Sequence, residues 1–215
     1  MRIVCRGESL ILLSEKAIYW EKQSALIVAD LHLGKAMHFR KSGIAVPAEL
    51  NQENLRQLQK LIVRYAPQRV IILGDLFHSD FNHQVEDWML WRKQFPHIAF
   101  HLVKGNHDVL AEEHYQRLQI QLHQEWLLPP FRMVHTLDES RALHDAYFLC
   151  GHIHPFVRIK GRARQSAVLP CFYFTDTYAI LPAFGKFTGR YLIHPAADAR
   201  VFAVLGDEVV CISGA

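Results

Sequence analysis

The sequence predicts an α/β chain, a layered sandwich in which two sheets pack face to face in one domain covering residues 1–215, with helices outside the first sheet. Three observations predict it. Short, continuous apolar runs alternate with helical patterns through the first half. From Ile120 onward helix signals fade and short β-type runs follow one another. Half of the 215 residues are hydrophobic and 21% are charged, which is ample for a substantial core and incompatible with intrinsic disorder.

Taken in order, Ala25 to Asp30 (ALIVAD) reads as a buried strand. Pro47 opens a helix in which Leu50, Leu55, Leu58, Leu61, Ile62 and Tyr65 recur at helical spacing. Arg69 to Asp75 (RVIILGD) is a second buried strand, and His83 to Phe95 a helix with Trp88, Trp91 and Phe95 packed into the core. Ile98 to Asp108 is a third strand ending in a loop. The second half offers FRMVH, AYFLCGH, VRIKGR, AVLPCFYF, TYAILPAF, RVFAVLG and DEVVCI as strands, with Phe172, Tyr173 and Phe174 feeding the second sheet.

Composition bounds the function. Net charge is +3, which permits a nucleic-acid partner without demanding one. Cys5, Cys150, Cys171 and Cys211 are scattered without a CxxC pair, so four reduced and mostly buried thiols in a cytoplasmic protein are expected. No run of 18 apolar residues exists and the N-terminus lacks a secretory layout, so no membrane span is expected. The 14 histidines direct attention to metal ligands.

Four apolar strands end in polar clusters: Asp30-Leu31-His32, Gly74-Asp75, Gly105-Asn106-His107-Asp108 and Gly151-His152-Ile153-His154. Ligands bind beyond the carboxyl ends of strands in α/β sheets, so neighbouring strands would deliver all of these groups to one region. In an extended segment, DxH and HxH spacing puts both side chains on one side. The glycines before Asp75, Asn106 and His152 allow close approach. Mixed oxygen and imidazole donors suit Mn²⁺, Fe or Zn²⁺ better than Ca²⁺ or Cu(I), and their number exceeds the needs of one ion. A two-metal site holds its ions about 3.5–4 Å apart and generates a hydroxide nucleophile for in-line attack on phosphorus.

ADLHLGK, ILGDLFH, KGNHD and CGHIHP together resemble the calcineurin-like metallophosphoesterase superfamily. With HFRKSGIAVP and LPAFGKFTGR, the chain more closely resembles the bacterial ligase-associated DNA-damage-response metallophosphoesterases. The resemblance implies a four-layer α/β/β/α sandwich of two mixed sheets flanked by helices. It implies two divalent transition-metal ions, Mn²⁺ first, with Zn²⁺ or Fe²⁺ as alternatives. Asp30, His32 and His154 would hold one ion, Asn106, His135 and His152 the other, and Asp75 would bridge both. His135 stands in Val134-His135-Thr136 where the superfamily usually has Gly-His; the alternatives are a strand-end histidine in a polar cap there, with His144 as the ligand. His107 would sit beside the scissile phosphate with Asp108 orienting it, while Asn106 and His107, with Arg40 from the loop after the first motif, would contact substrate. His78 and Asp80 carry no assigned role.

The implied activity is phosphodiester hydrolysis through a bridging hydroxide, as a DNA endonuclease in repair. By resemblance alone, DNA ligase, helicase and exonuclease repair proteins are functional associates. The alternative is hydrolysis of a small or lipid-linked phosphoester such as a UDP-diacylglucosamine, and the remote one a catalytically inactive binding scaffold. Arg158, Lys160, Arg162 and Arg164 recur evenly, as a nucleic-acid track or as a charged edge strand.

Overall fold

The structure, a computed structural model, describes residues 1–34, 50–77, 83–138, 146–161, 165–186 and 188–212. Arg40, His78, Asp80, His144, Arg162 and Arg164 lie outside the described residues.

The first sheet has seven strands in sequence order: β1 (Arg2–Cys5), β2 (Glu8–Leu13), β3 (Ala17–Trp20), β4 (Ala25–Ala29), β5 (Arg69–Leu73), β6 (Ala99–Val103) and β7 (Ile120–His123). Strands β1 to β4 form an antiparallel meander, and β4 to β7 run parallel. Parallel neighbours need crossovers, and these hold the three described helices, α1 (Leu50–Tyr65), α2 (His83–Arg92) and α3 (Glu112–Arg117). The apolar face of α1 (Leu55, Leu58, Leu61, Ile62) and the Trp88–Trp91 pair of α2 pack on Leu26, Val28, Val70, Ile72, Phe100 and Leu102, which point to one face of the sheet. Residues of opposite parity, Ile27, Ala29, Ile71, Leu73 and Val103, point to the other.

That other face meets the second, nine-stranded sheet, built from β8 (Trp126–Leu128), β9 (Phe131–Met133), β10 (Tyr147–Cys150), β11 (Pro155–Lys160), β12 (Ser166–Phe174), β13 (Tyr178–Ile180), β14 (Tyr191–Leu192), β15 (Arg200–Leu205) and β16 (Glu208–Cys211). Phe131, Met133, Leu149, Phe172 and Phe174 fill the space between the sheets. On the far side, Phe148, Cys150, Cys171, Tyr173 and Val201 form a third core, with Ile193, Ala199 and Ile212 packed around it. Both sheets are mixed, β9–β10–β13 being parallel within a largely antiparallel second sheet. Among the described residues no helix is long and apolar enough to cross a membrane. Cys5, Cys150 and Cys171 are buried and Cys211 is exposed, all four without disulfides.

Candidate metal centre

The strand ends that carry the motifs are neighbours. β4, β5 and β6 lie side by side and parallel, and end in Asp30, Gly74-Asp75 and Gly105. β10 ends opposite them in the second sheet: the Gly151 backbone is so close that an added Cβ would stand 2.6 Å from Asp30 Oδ2. The crowding recurs at the other glycines. A Cβ on Gly105 would meet Asp75 Oδ1 at 2.3 Å, and one on Gly74 would meet His135 Nδ1 at 1.9 Å.

Two groups of potential ligand atoms result, each with its atoms within 4.8 Å of one another: Asp30, His32 and His154, and Asp75, His135 and His152. They adjoin. Asp75 Oδ2 lies 3.8 Å from His32 Nε2, while Asp75 Oδ1 lies 3.5 Å from His135 Nε2, so one carboxylate faces both groups. Asp30 Oδ1 lies 3.4 Å from His154 Nε2 and 3.9 Å from His135 Nδ1.

The backbone differs from the extended geometry expected of DxH and HxH. Asp30 (φ 54°), His32 (φ 49°), Asp75 (φ 49°), His152 (φ 69°) and His154 (φ 53°) are all left-handed. The chain thus leaves each strand by a sharp bend, and the alternating residue of each motif is turned into the site by conformation rather than by pleating. The bends are held by hydrogen bonds: His32 N donates to Asp75 O (2.9 Å), Leu33 N to Leu76 O (2.8 Å), and His152 N to Asp30 Oδ2 (2.9 Å).

His135 belongs to this centre. Its Nδ1 stands 3.1 Å from Leu73 O, so the Nδ1–H tautomer donates there and leaves a lone pair on Nε2, which faces Asp75 and lies 3.1 Å from His152 Nδ1. Burial pushes the His152 imidazole below its ordinary value, against the opposing pull of Asp30 and Asp75. His107 is exposed, but its N–H donates to Asp75 Oδ1 (3.0 Å) and its ring centroid is 5.8 Å from that of His32, so it borders the centre. Asn106 is exposed on the same loop.

Asp108 does something the sequence did not announce. Its carboxylate is fully buried and accepts hydrogen bonds from three backbone amides: Leu76 N (3.0 Å) and Phe77 N (3.3 Å) at Oδ1, and Gly105 N (2.9 Å) at Oδ2. It clamps the loop after β6 to the loop after β5. Burial, the dominant cause, pushes its acid up to about 6. Asn54 on α1 is a second supporting group without a motif: its Nδ2 donates to Leu31 O (3.1 Å) and its Oδ1 accepts from Lys186 N (3.3 Å). The LPAFGK segment therefore wraps the Asp30 loop, with Phe184 N on Ala29 O and Gly185 N on Asp30 O.

Does this cluster fit metal ions? Asp30 Oδ1 and His154 Nε2 are buried and have no hydrogen-bond partner among the described residues. An acceptor oxygen and an imidazole nitrogen left unpaired in the interior are costly unless a cation sits between them. Oxygen and nitrogen donors with no thiolate match a divalent transition metal. The fit is good.

Comparison with known proteins gives the family. The family model for calcineurin-like phosphoesterases matches residues 24–207. Among solved structures, the chain is similar to the Pseudomonas putida nuclease MPE, with 33% sequence identity, a TM-score of 0.82 and 99% of each chain covered. A second similarity, to the E. coli phosphoesterase Yfce, has 13% identity and a TM-score of 0.43 over 88% of this chain and 98% of that one. No curated protein sequence matches the chain.

Proposed function

Because the chain belongs to the calcineurin-like phosphoesterase family, we propose that it is a dinuclear metal-dependent phosphodiesterase whose substrate is DNA. The observation that carries the metal count is Asp75, one carboxylate with an oxygen toward each of two ligand groups. The nuclease reading is supported by the similarity, over nearly the whole chain, to a protein described as a nuclease. A cytoplasmic setting and a role in repair extend the same reading.

Asp30, His32 and His154 would hold one ion, and His135 and His152 with Asn106 the other, with Asp75 shared. Mn²⁺ is the first candidate for both. When bound, the two ions supply neutralisation of the diester charge and an activated water for attack on phosphorus. The protein does the rest. The Leu73 carbonyl fixes the tautomer of His135, and the buried Asp108 carboxylate fixes the loop from which His107 projects. His107, exposed at the rim, is placed to donate an imidazole N–H to a non-bridging phosphate oxygen or to pass its proton to the departing alkoxide. Arg40 is the proposed further phosphate contact.

The test strips the protein of metal and restores it with Mn²⁺, Zn²⁺, Fe²⁺ or Mg²⁺. Bis(p-nitrophenyl) phosphate, p-nitrophenyl phosphate and DNA are then compared as substrates. Metal-dependent cleavage of the diester in preference to the monoester, together with DNA cleavage, is expected. Diester cleavage with DNA left intact would move the substrate to a small phosphodiester, and absence of metal-dependent cleavage would end the proposal.

A further inference from the structure

A line of positive charge leads away from the centre. His154 is followed at once by β11, which pairs antiparallel with the first half of β12 in the register Phe156↔Pro170, Arg158↔Val168 and Lys160↔Ser166. Alternation puts Phe156, Arg158 and Lys160 on one face of the hairpin. Val157 and Ile159 point the other way, into the outer core of the second sheet, and so anchor the strand. Arg158, Lys160, Ser166, Ala167 and Val168 are exposed, whereas Cys171–Phe174 of the same β12 is buried. The outer half of the hairpin therefore stands clear of the packed sandwich.

A third cation begins the line. Gly189 lies against the centre, since a Cβ there would come within 3.8 Å of His154 Nδ1. The next residue, Arg190, is exposed and carries its guanidinium 5.4 Å from the centroid of the Phe156 ring. The chain is then fixed by Tyr191 N, which donates to His154 O (3.1 Å), and by pairing of β14 with the start of β11. Arg190, Arg158 and Lys160 thus succeed one another outward from His154. Among the described residues, no carboxylate pairs with any of the three.

Same-face positions on a strand are about 7 Å apart, close to the interval between neighbouring phosphates of an extended nucleic-acid strand. A small anion would use one such cation. A row that starts at the reaction centre and sits on a paired strand anchored in the outer core fits a linear polyanion. We infer that Arg190, Arg158 and Lys160 form a track that holds the phosphates of a single nucleic-acid strand on one side of the bond to be cut, with Phe156 as an aromatic contact for a base. This inference rests on the phosphodiesterase reading given above.

The test uses a labelled, cleavage-resistant phosphorothioate oligonucleotide, with affinity measured between 50 and 200 mM KCl. Removing two phosphate contacts with Arg158→Gln and Lys160→Gln lowers the slope of log affinity against log salt by about 1.4, at about 0.7 per single-strand contact, and weakens binding of order tenfold at 0.1 M salt. Adding Arg190→Gln lowers the slope further. The ratio of DNA cleavage to bis(p-nitrophenyl) phosphate cleavage falls in both variants, and the charge-preserving pair Arg158→Lys with Lys160→Arg restores the slope. An unchanged slope with DNA cleavage intact would remove the track and leave the nuclease reading standing. Equal loss on both substrates would mean damage to the centre and would also overturn the track. Failure of the unmodified protein to bind DNA while it cleaves the small diester would overturn the track and the nuclease reading together.

Discussion

Replacing Gly74 by alanine is a sharp probe of how the centre is built. The residue has φ +77°, and an added Cβ would stand 1.9 Å from His135 Nδ1, 2.3 Å from Cγ and 2.8 Å from Cε1. Left-handed backbone costs a residue with a Cβ about 1–2 kcal/mol. The ring cannot swing away cheaply, because it is buried and its Nδ1 is tied to Leu73 O at 3.1 Å. Breaking that bond costs about 0.5–1.5 kcal/mol, and overpacking a close-packed site about 1–3 kcal/mol. The total is roughly 2.5–6.5 kcal/mol, or a fall in Tm of about 5–26 °C for a domain of this size. Gly206→Ala is the control: its φ is +58°, but nothing lies within 4 Å of the added Cβ, so only the backbone cost applies. Calorimetry gives the two Tm values, and titration with Mn²⁺ gives the ions bound per chain. Gly74→Ala should lose the ion assigned to His135 and His152, whereas Gly206→Ala should keep both. If the two variants show the same Tm and the same Mn²⁺ uptake, His135 is not held where this reasoning needs it.

Three further outcomes are expected. His107→Gln keeps its metal by elemental analysis but loses about 10²–10⁴-fold in turnover, and full activity of the metal-loaded variant would refute the role of its imidazole. Asp108→Ala leaves three amides without their acceptor, at about 1–3 kcal/mol for each that stays buried, partly offset by release of a carboxyl that burial already disfavours; urea unfolding should show a net loss of about 3–5 kcal/mol, with Asp108→Asn intermediate. His101 is buried beneath Trp126 with Nδ1 3.1 Å from His123 Nε2, and burial, then His123 and Arg69, lower its pKa from 6.5 to about 4. The unfolded chain therefore takes up a proton that the folded chain refuses, so stability is fully present above pH 6.5 and falls by up to about 3 kcal/mol as pH drops to 4. Unfolding midpoints measured at pH 7 and pH 4.5 should diverge less in His101→Phe, and equal divergence in both proteins would sink the assignment.

How much of this was legible in the sequence depended on where burial lies. ALIVA, RVIIL and AFHLV could be read as strands because both faces of a parallel central sheet are covered, which makes the run continuously apolar. The polar residue that ends such a run is then conspicuous, which is why Asp30, Asp75, Asn106, His152 and His154 could be picked out. The meander β1–β3 gives a weaker signal: its strands have four to six residues, and β1 is exposed at every second position. The six-residue α3 and the strands β7, β8 and β14 were equally obscure, since each is short and takes its stability from neighbours. The helix over Leu50–Tyr65 was marked by its apolar spacing. The clamp made by Asp108 was only half legible: its bond from Gly105 N is local, but its partners Leu76 and Phe77 are backbone amides more than thirty residues away. The stack of His101, His123 and Trp126 is likewise a product of three strands, β6, β7 and β8, coming together.

The left-handed residues explain why these motifs take the form they do. Five of the six aspartates and histidines in the two ligand groups have positive φ, His135 being the exception. Asp and His tolerate that region better than β-branched or bulky residues, but each still carries strain of order 1–2 kcal/mol. A continued strand would send Asp30 and His32 to the helix-covered face with Leu26 and Val28, and His152 and His154 to the outer face with Phe148 and Cys150. Bending at Asp30 and again at His32 brings both side chains to the crevice at the strand ends, and the same double bend at His152 and His154 answers from the second sheet. Loop amides are taken by groups of the centre itself, His152 N by Asp30 Oδ2 and His107 N by Asp75 Oδ1. Asp30 and Asp75 therefore each have one oxygen committed to a loop from another strand, so the loops and the ligand groups cannot be displaced independently. That coupling is the physical reason a centre assembled from separate strand ends keeps a single geometry.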